Sequence, residues 1–171
     1  MRAEIPCGKD MVELDFDVPE HKVKVAQAKC ETSSEPMETL AEKALEDPIG
    51  SKRLRDTNLK GKSVAILVDD KTRPTPANRI APIVLDELRK AGVSDKDIFL
   101  VTAEQRIKSR LGREIADRYK VIIHDRYHGD RPQFIGFNSL GTPVWINKAA
   151  AKADYRVAIG RICPHSDTGY E

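Results

Sequence analysis

Residues 63–68 read Ser-Val-Ala-Ile-Leu-Val, an unbroken apolar run rich in β-branched side chains. A strand with one face in water alternates apolar and polar residues, so an unbroken run belongs to a strand covered on both faces. Antiparallel hairpins rarely provide that cover. Helices on both sides of a mainly parallel sheet do, because each parallel connection needs a crossover.

The rest of the chain fits that frame. Ile98–Val101, within Asp97–Thr102, is a second buried strand, Val121–Ile123 a third strand, and Tyr155–Gly160 another apolar strand. Helical spacing fills the gaps. Thr75 and Pro76 supply an expected N-cap and first-turn proline for a helix carrying Ile80, Ile83, Val84 and Leu88, with Gly92 as its stop. Ile107, Leu111 and Ile115 recur every four residues, which predicts a helix over 106–118. A short helix is expected over Asn147–Ala153, and Pro36 opens another through Leu45. Residues 2–16 read as an N-terminal β-hairpin, 22–28 as a strand with one exposed face, and 134–146 as a hairpin around Asn138–Gly141. The expected fold is α/β, a mainly parallel sheet with helices on both faces in a Rossmann-like three-layer arrangement, preceded by the hairpin.

Charge and cysteine usage narrow the function classes. Lys plus Arg is 29 and Asp plus Glu is 27, a net charge of +2 among 171 residues, which gives no electrostatic argument for nucleic acid. Nothing approaches the apolar length of a membrane span, and Met1–Asp10 lacks a secretory pattern. Cys7, Cys30 and Cys163 are odd in number and widely spaced, as expected of reduced thiols in a cytoplasmic protein. The sequence leaves the oligomeric state open.

The densest chemical signal is Asp69-Asp70-Lys71-Thr72-Arg73-Pro74-Thr75-Pro76, between a buried strand and a helix. Ligands of such sheets bind beyond the carboxyl ends of the strands. A helix N-terminus favours anions there, and the planar Arg73 fork suits carboxylate or phosphate. A plain solvated turn needs a capping residue and a proline, but not two acids and an arginine as well. His165 follows the last strand and Pro164. It reads either as a general base, since imidazole titrates near neutrality as a side-chain type, or as an ordinary surface residue. His124 and His128 have metal-ligand spacing only if helical, and they flank a strand end; His21 reads as surface. Dinucleotide, Walker and nucleophile-elbow motifs are missing.

Taken in order, the motifs resemble a known family. They are Asp69-Asp-x-Thr-Arg-Pro; Val101-Thr102 with Gln105-Arg106; His124-Asp125; Leu140-Gly-Thr-Pro-Val-Trp-Ile-Asn147; and Gly160-Arg-Ile-Cys-Pro-His165. The pattern is similar to the N-terminal domain of the nickel-pincer-dependent lactate racemases. The resemblance implies a racemase or epimerase of 2-hydroxyacids or sugar acids. It implies a nickel pincer nucleotide that accepts the substrate hydride, and two histidines that handle the hydroxyl proton. Carried onto this chain, Asp69, Asp70, Thr72, Arg73 and Arg106 contact substrate or cofactor, and His165 is one of the catalytic pair.

Two departures follow. Where the family has Thr-Gly-x-His-Arg, this chain has Thr102-Ala103-Glu104-Gln105-Arg106, and the Gln105 amide cannot act as a general base. The chain also stops in a polar, glycine-containing stretch, Cys163–Glu171. Residues 1–171 are therefore expected to be an N-terminal domain without its C-terminal partner, lacking the cofactor-anchoring lysine, the nickel-binding histidine and activity of its own. The competing expectation is a catalytically silent domain that binds a small anion or a nucleotide.

Overall fold

A computed structural model describes residues 2–7, 9–24, 33–70, 72–103, 110–125, 131–165 and 169–170. The chain divides into two compact units, 1–34 and 35–171. In the first, β1 (Arg2–Cys7) pairs antiparallel with β2 (Asp10–Asp15), as the expected hairpin. The strand expected over 22–28 lies outside the described residues from position 25 onward. Glu20–Lys22, at its start, form a single 3₁₀ turn instead.

The second unit is built on four parallel strands in the order β5-β4-β3-β8. These are β3 (Val64–Val68), β4 (Ile98–Thr102), β5 (Lys120–Ile123) and β8 (Tyr155–Ile159). Central β3 pairs Val64 with Ile98 on one side and with Tyr155 on the other. Its alternate residues divide between two cores. Val64, Ile66 and Val68 pack with Ala81, Val84 and Leu88 of α2 (Ala77–Lys90), while Ala65 packs with Ala150 and Ala153 at α4 (Lys148–Lys152). The run 64–68 is unbroken because it has no solvent face.

The helix ends are set locally. At the end of α2, Gly92 adopts φ +90°; its N–H reaches the carbonyl of Arg89, and the N–H of Val93 reaches that of Leu88. This is a Schellman closure, with buried Leu88 and Val93 as its apolar pair. Arg156 of β8 donates to the carbonyls of Ala150 and Ala153, which holds the C-terminus of α4 against the sheet.

The helix predicted over 106–118 is not continuous. Residues 110 and 111 are helical, Gly112 at φ +84° breaks the path, and α3 (Arg113–Arg118) starts afresh. A left-handed glycine cannot continue an α-helix, although the apolar spacing runs on through it. The described part keeps the expected contacts, with Leu111 buried and Ile115 against the core.

Of the remaining elements, α1 spans Met37–Glu46, and the hairpin of β6 (Gln133–Phe137) and β7 (Pro143–Ile146) turns at Asn138–Gly141 as expected. The Asn138 side chain accepts from the N–H groups of Leu140 and Thr142. No helix among the described residues is long and apolar enough to cross a membrane.

One buried charge sits in this framework. Glu87 of α2 is almost fully buried and accepts two hydrogen bonds from Arg55, at 2.7 and 2.8 Å. Arg55 foremost holds its carboxyl below the usual 4.5, against the opposing effect of burial. A lowered folded-state value stabilises the fold above the unfolded value and is lost as pH falls through the folded one. Arg55→Met is therefore expected to lower the urea midpoint near pH ~7, with the gap to the parent chain narrowing below about pH 4. A gap unchanged across that range contradicts this account.

Candidate functional site

The strand order reverses at β3. The chain crosses from β3 to β4 on one side, and β8 returns on the other. A crevice opens at such a switch point, beyond the carboxyl ends. Two segments frame it here: 69–76, which joins β3 to α2, and 160–163, which leaves β8. The Asp69 N–H still reaches the Ile159 carbonyl at 3.4 Å, so the two segments start side by side.

Asp69 has both carboxylate oxygens engaged. Oδ1 accepts from the Arg110 guanidinium and Oδ2 from the Thr75 hydroxyl. The three side chains are largely out of water: Asp69 is 17% exposed and Arg110 12%, and Thr75 as a residue 4%. Thr75 is thus not the expected N-cap of α2. Pro76 occupies that position with no side-chain cap, and the Thr75 hydroxyl turns to Asp69 instead. A charged acceptor makes the stronger bond, which explains the choice.

Asp70 is held differently. Its Oδ1 accepts the N–H of Thr72 at 2.7 Å and the Thr72 hydroxyl, folding the loop into an Asx turn. The Thr72 hydroxyl first, then its N–H, with help from the charges of Arg73 and Arg110, holds the Asp70 carboxyl below its usual range. Asp70 is an ionised acceptor at neutral pH, not an acid. Arg73 closes the turn through its N–H to the Asp70 carbonyl at 3.2 Å. With Asp69, Gly160, Arg161 and Cys163 it lines a cavity of about 190 Å³.

A second cavity of about 400 Å³ adjoins it, sharing Asp69 and Gly160. Its walls are mostly apolar, from Leu67, Val101, Ala150 and Ile159, with Thr102, His124 and Asn147 as polar members. His124 follows β5, where its backbone N–H bonds the Thr102 carbonyl at 2.7 Å. Asn147 caps α4, its Oδ1 accepting the N–H groups of Ala149 and Ala150, and its Nδ2 lies 3.4 Å from His124 Nδ1.

The structure holds Asp69, Asp70, Thr72 and Arg73 in one loop, of which Asp69 and Arg73 line the two cavities and Asp70 and Thr72 line neither. His165 is in a two-residue strand, β9 (Pro164–His165), paired with β10 (Gly169–Tyr170), rather than in an open loop, and it lines neither cavity. Gln105 and Arg106, with Lys71 and His128, lie outside the described residues. Arg110 escaped notice because it reads as one more basic residue in an amphipathic helix. The link from His124 to Asn147 had a signal, an Asn where a helix begins. A larger groove of about 580 Å³ between α1 and α2 is lined by charges already paired with one another, Arg55 with Glu46 and Glu87, and Lys90 with Asp86.

Removing one partner of a largely buried pair strands the other charge. Arg110→Ala is expected to cost about 3 kcal/mol in urea unfolding. Adding Asp69→Asn is expected to recover part of that loss. Losses that simply add contradict a mutual charge pairing.

The model of the lactate racemase N-terminal domain matches residues 8–171. The lactate racemase of Thermoanaerobacterium thermosaccharolyticum is 33% identical over 177 residues, and that of Lactiplantibacillus plantarum 26% over 175. Each alignment covers 98% of this chain but 41% of the relative, so the chain spans about two-fifths of the length of these proteins. The structure of the lactate racemase apoprotein from T. thermosaccharolyticum superposes with a TM-score of 0.77 at 30% identity, over 100% of this chain and 41% of that one. The chain belongs to the lactate racemase N-terminal domain family.

Proposed function

We propose that this chain is the N-terminal domain of a 2-hydroxyacid racemase or epimerase acting in the cytoplasm. The observation that carries the reading is the Asp70-Thr72-Arg73 turn at the switch-point crevice of a chain in this family. Arg73 offers a planar, permanently charged fork to the substrate carboxylate. Asp70, ionised, accepts from the substrate hydroxyl and keeps a second anion out of its own position. Asp69, neutralised by Arg110, holds the loop in place. His165 takes and returns the hydroxyl proton, and Gln105 orients the same hydroxyl by hydrogen bonds.

A nickel pincer nucleotide, which the resemblance implies, supplies a hydride acceptor when bound. Among the described residues, no group of three or more His, Cys, Asp or Glu side chains is placed to hold its metal. The part we assign to this chain is to bind, orient and move a proton. The remainder of a protein of the relatives' length completes the site.

One observation favours a second reading. Gln105 stands where a titratable residue is needed, which suits a silent domain binding a small anion or nucleotide. The full-length protein, expressed with the pincer-synthesis enzymes, is to be incubated with single-enantiomer 2-hydroxyacids and aldonic acids. Chiral chromatography and metal analysis of the same sample are expected to show inversion of at least one acid with bound nickel. The 171-residue chain by itself is expected to show neither. Absence of both from the full-length protein supports the silent domain.

A further inference from the structure

We propose that His124 is a neutral N–H donor, locked in one tautomer by Asn147, that binds an oxygen of the ligand in the 400 Å³ cavity. The chemical class of that ligand, a 2-hydroxyacid or its 2-oxoacid, rests on the function proposed above.

The lock follows from what Asn147 can offer. Its carboxamide has one acceptor, Oδ1, and that oxygen receives the N–H groups of Ala149 at 2.9 Å and Ala150 at 3.2 Å. These are first-turn groups of α4 with no acceptor inside the helix. The amide therefore cannot turn over without stranding two N–H donors. Its Nδ2, which only donates, is what faces His124 Nδ1 at 3.4 Å. Nδ1 must accept, so the neutral ring carries its proton on Nε2. The ring is also held from its own backbone, since the His124 N–H bonds the Thr102 carbonyl.

Position makes this a binding group and not only a strut. Among the described residues, Asn147 is the ring's one hydrogen-bond partner. His124 lines the mostly apolar cavity that also holds Asp69 and Gly160 and, with Asn147, a second cavity of about 350 Å³ beside Asp125 and Lys148. In such surroundings an N–H donor is satisfied by a ligand oxygen or by water, and a fixed donor acts more strongly there than in bulk water. A neutral ring with its proton on Nε2 cannot remove a hydroxyl proton through Nε2. It can steady a carboxylate oxygen, or the carbonyl oxygen that appears when a hydroxyacid is oxidised. Asn147 is its positioning residue.

Long-range 1H–15N correlation of the labelled chain reads the tautomer directly. Nε2–H with an unprotonated Nδ1 is expected at His124. Asn147→Asp still caps α4, because Asp is an equally good N-cap, but it presents an acceptor to Nδ1 and is expected to move the proton there. L-lactate, pyruvate and inorganic phosphate then serve as probes. Lactate or pyruvate is expected to shift the Nε2 resonances. Binding is expected to weaken roughly 10-fold in His124→Leu and about 3-fold or less in His124→Gln, which keeps an N–H donor. Shifts with phosphate but not with lactate or pyruvate keep the donor and reject the hydroxyacid reading. A protonated Nδ1 in the parent chain, full binding by His124→Leu, or no shift with any probe overturns the proposal.

Discussion

Asp69 stands where the central strand β3 ends. Both of its oxygens are taken, one by Arg110 from the β4–β5 crossover and the other by Thr75 at the start of α2. A carboxylate so far out of water is tolerated only when paired and hydrogen-bonded. These two partners are therefore the condition for the loop 69–76 to hold its shape. They also join three parts of the chain, β3, the turn into α2 and the segment before α3, at one point of the crevice.

That clamp divides two neighbouring acids between two tasks. Asp69 is neutralised and structural. Asp70 is ionised and folded back on Thr72, and Arg73 lines the adjoining space. The groove between α1 and α2 is larger, but its cations and carboxylates already satisfy each other, with Arg55 and Lys90 sharing Glu87. It behaves as a structural ion network, whereas the crevice cavities are lined by Asp69, Arg73 and His124.

The sheet was legible in the sequence because burial on both faces writes itself as an unbroken apolar run. The central strands at 64–68 and 98–102 are written this way, while the edge strands at 120–123 and 155–159 are parallel too but carry the exposed Lys120 and Arg156. The loop 69–76 stood out because two acids, an arginine and prolines exceed what a turn requires. The interruption at Gly112 was not, since apolar spacing reports which face is buried and not whether the backbone path is continuous. Arg110 and Thr75 were read by local rules, as a helix-surface cation and a cap. Their actual partner lies 41 residues away for Arg110 and six for Thr75, and only the tertiary fold brings either to Asp69. The short β9–β10 pairing of His165 was hidden for the same reason, because two-residue strands carry no periodicity.

The account turns on where the ligand's negative charge sits. A crystal structure of the chain with a 2-hydroxyacid bound tests that most directly. The account predicts the carboxylate within hydrogen-bond reach of the Arg73 guanidinium, beside Asp70 and Gly160, with Asp69 still held by Arg110 and Thr75. An acid seated in the α1–α2 groove, or one in the crevice with Arg73 turned away from it, would contradict the account.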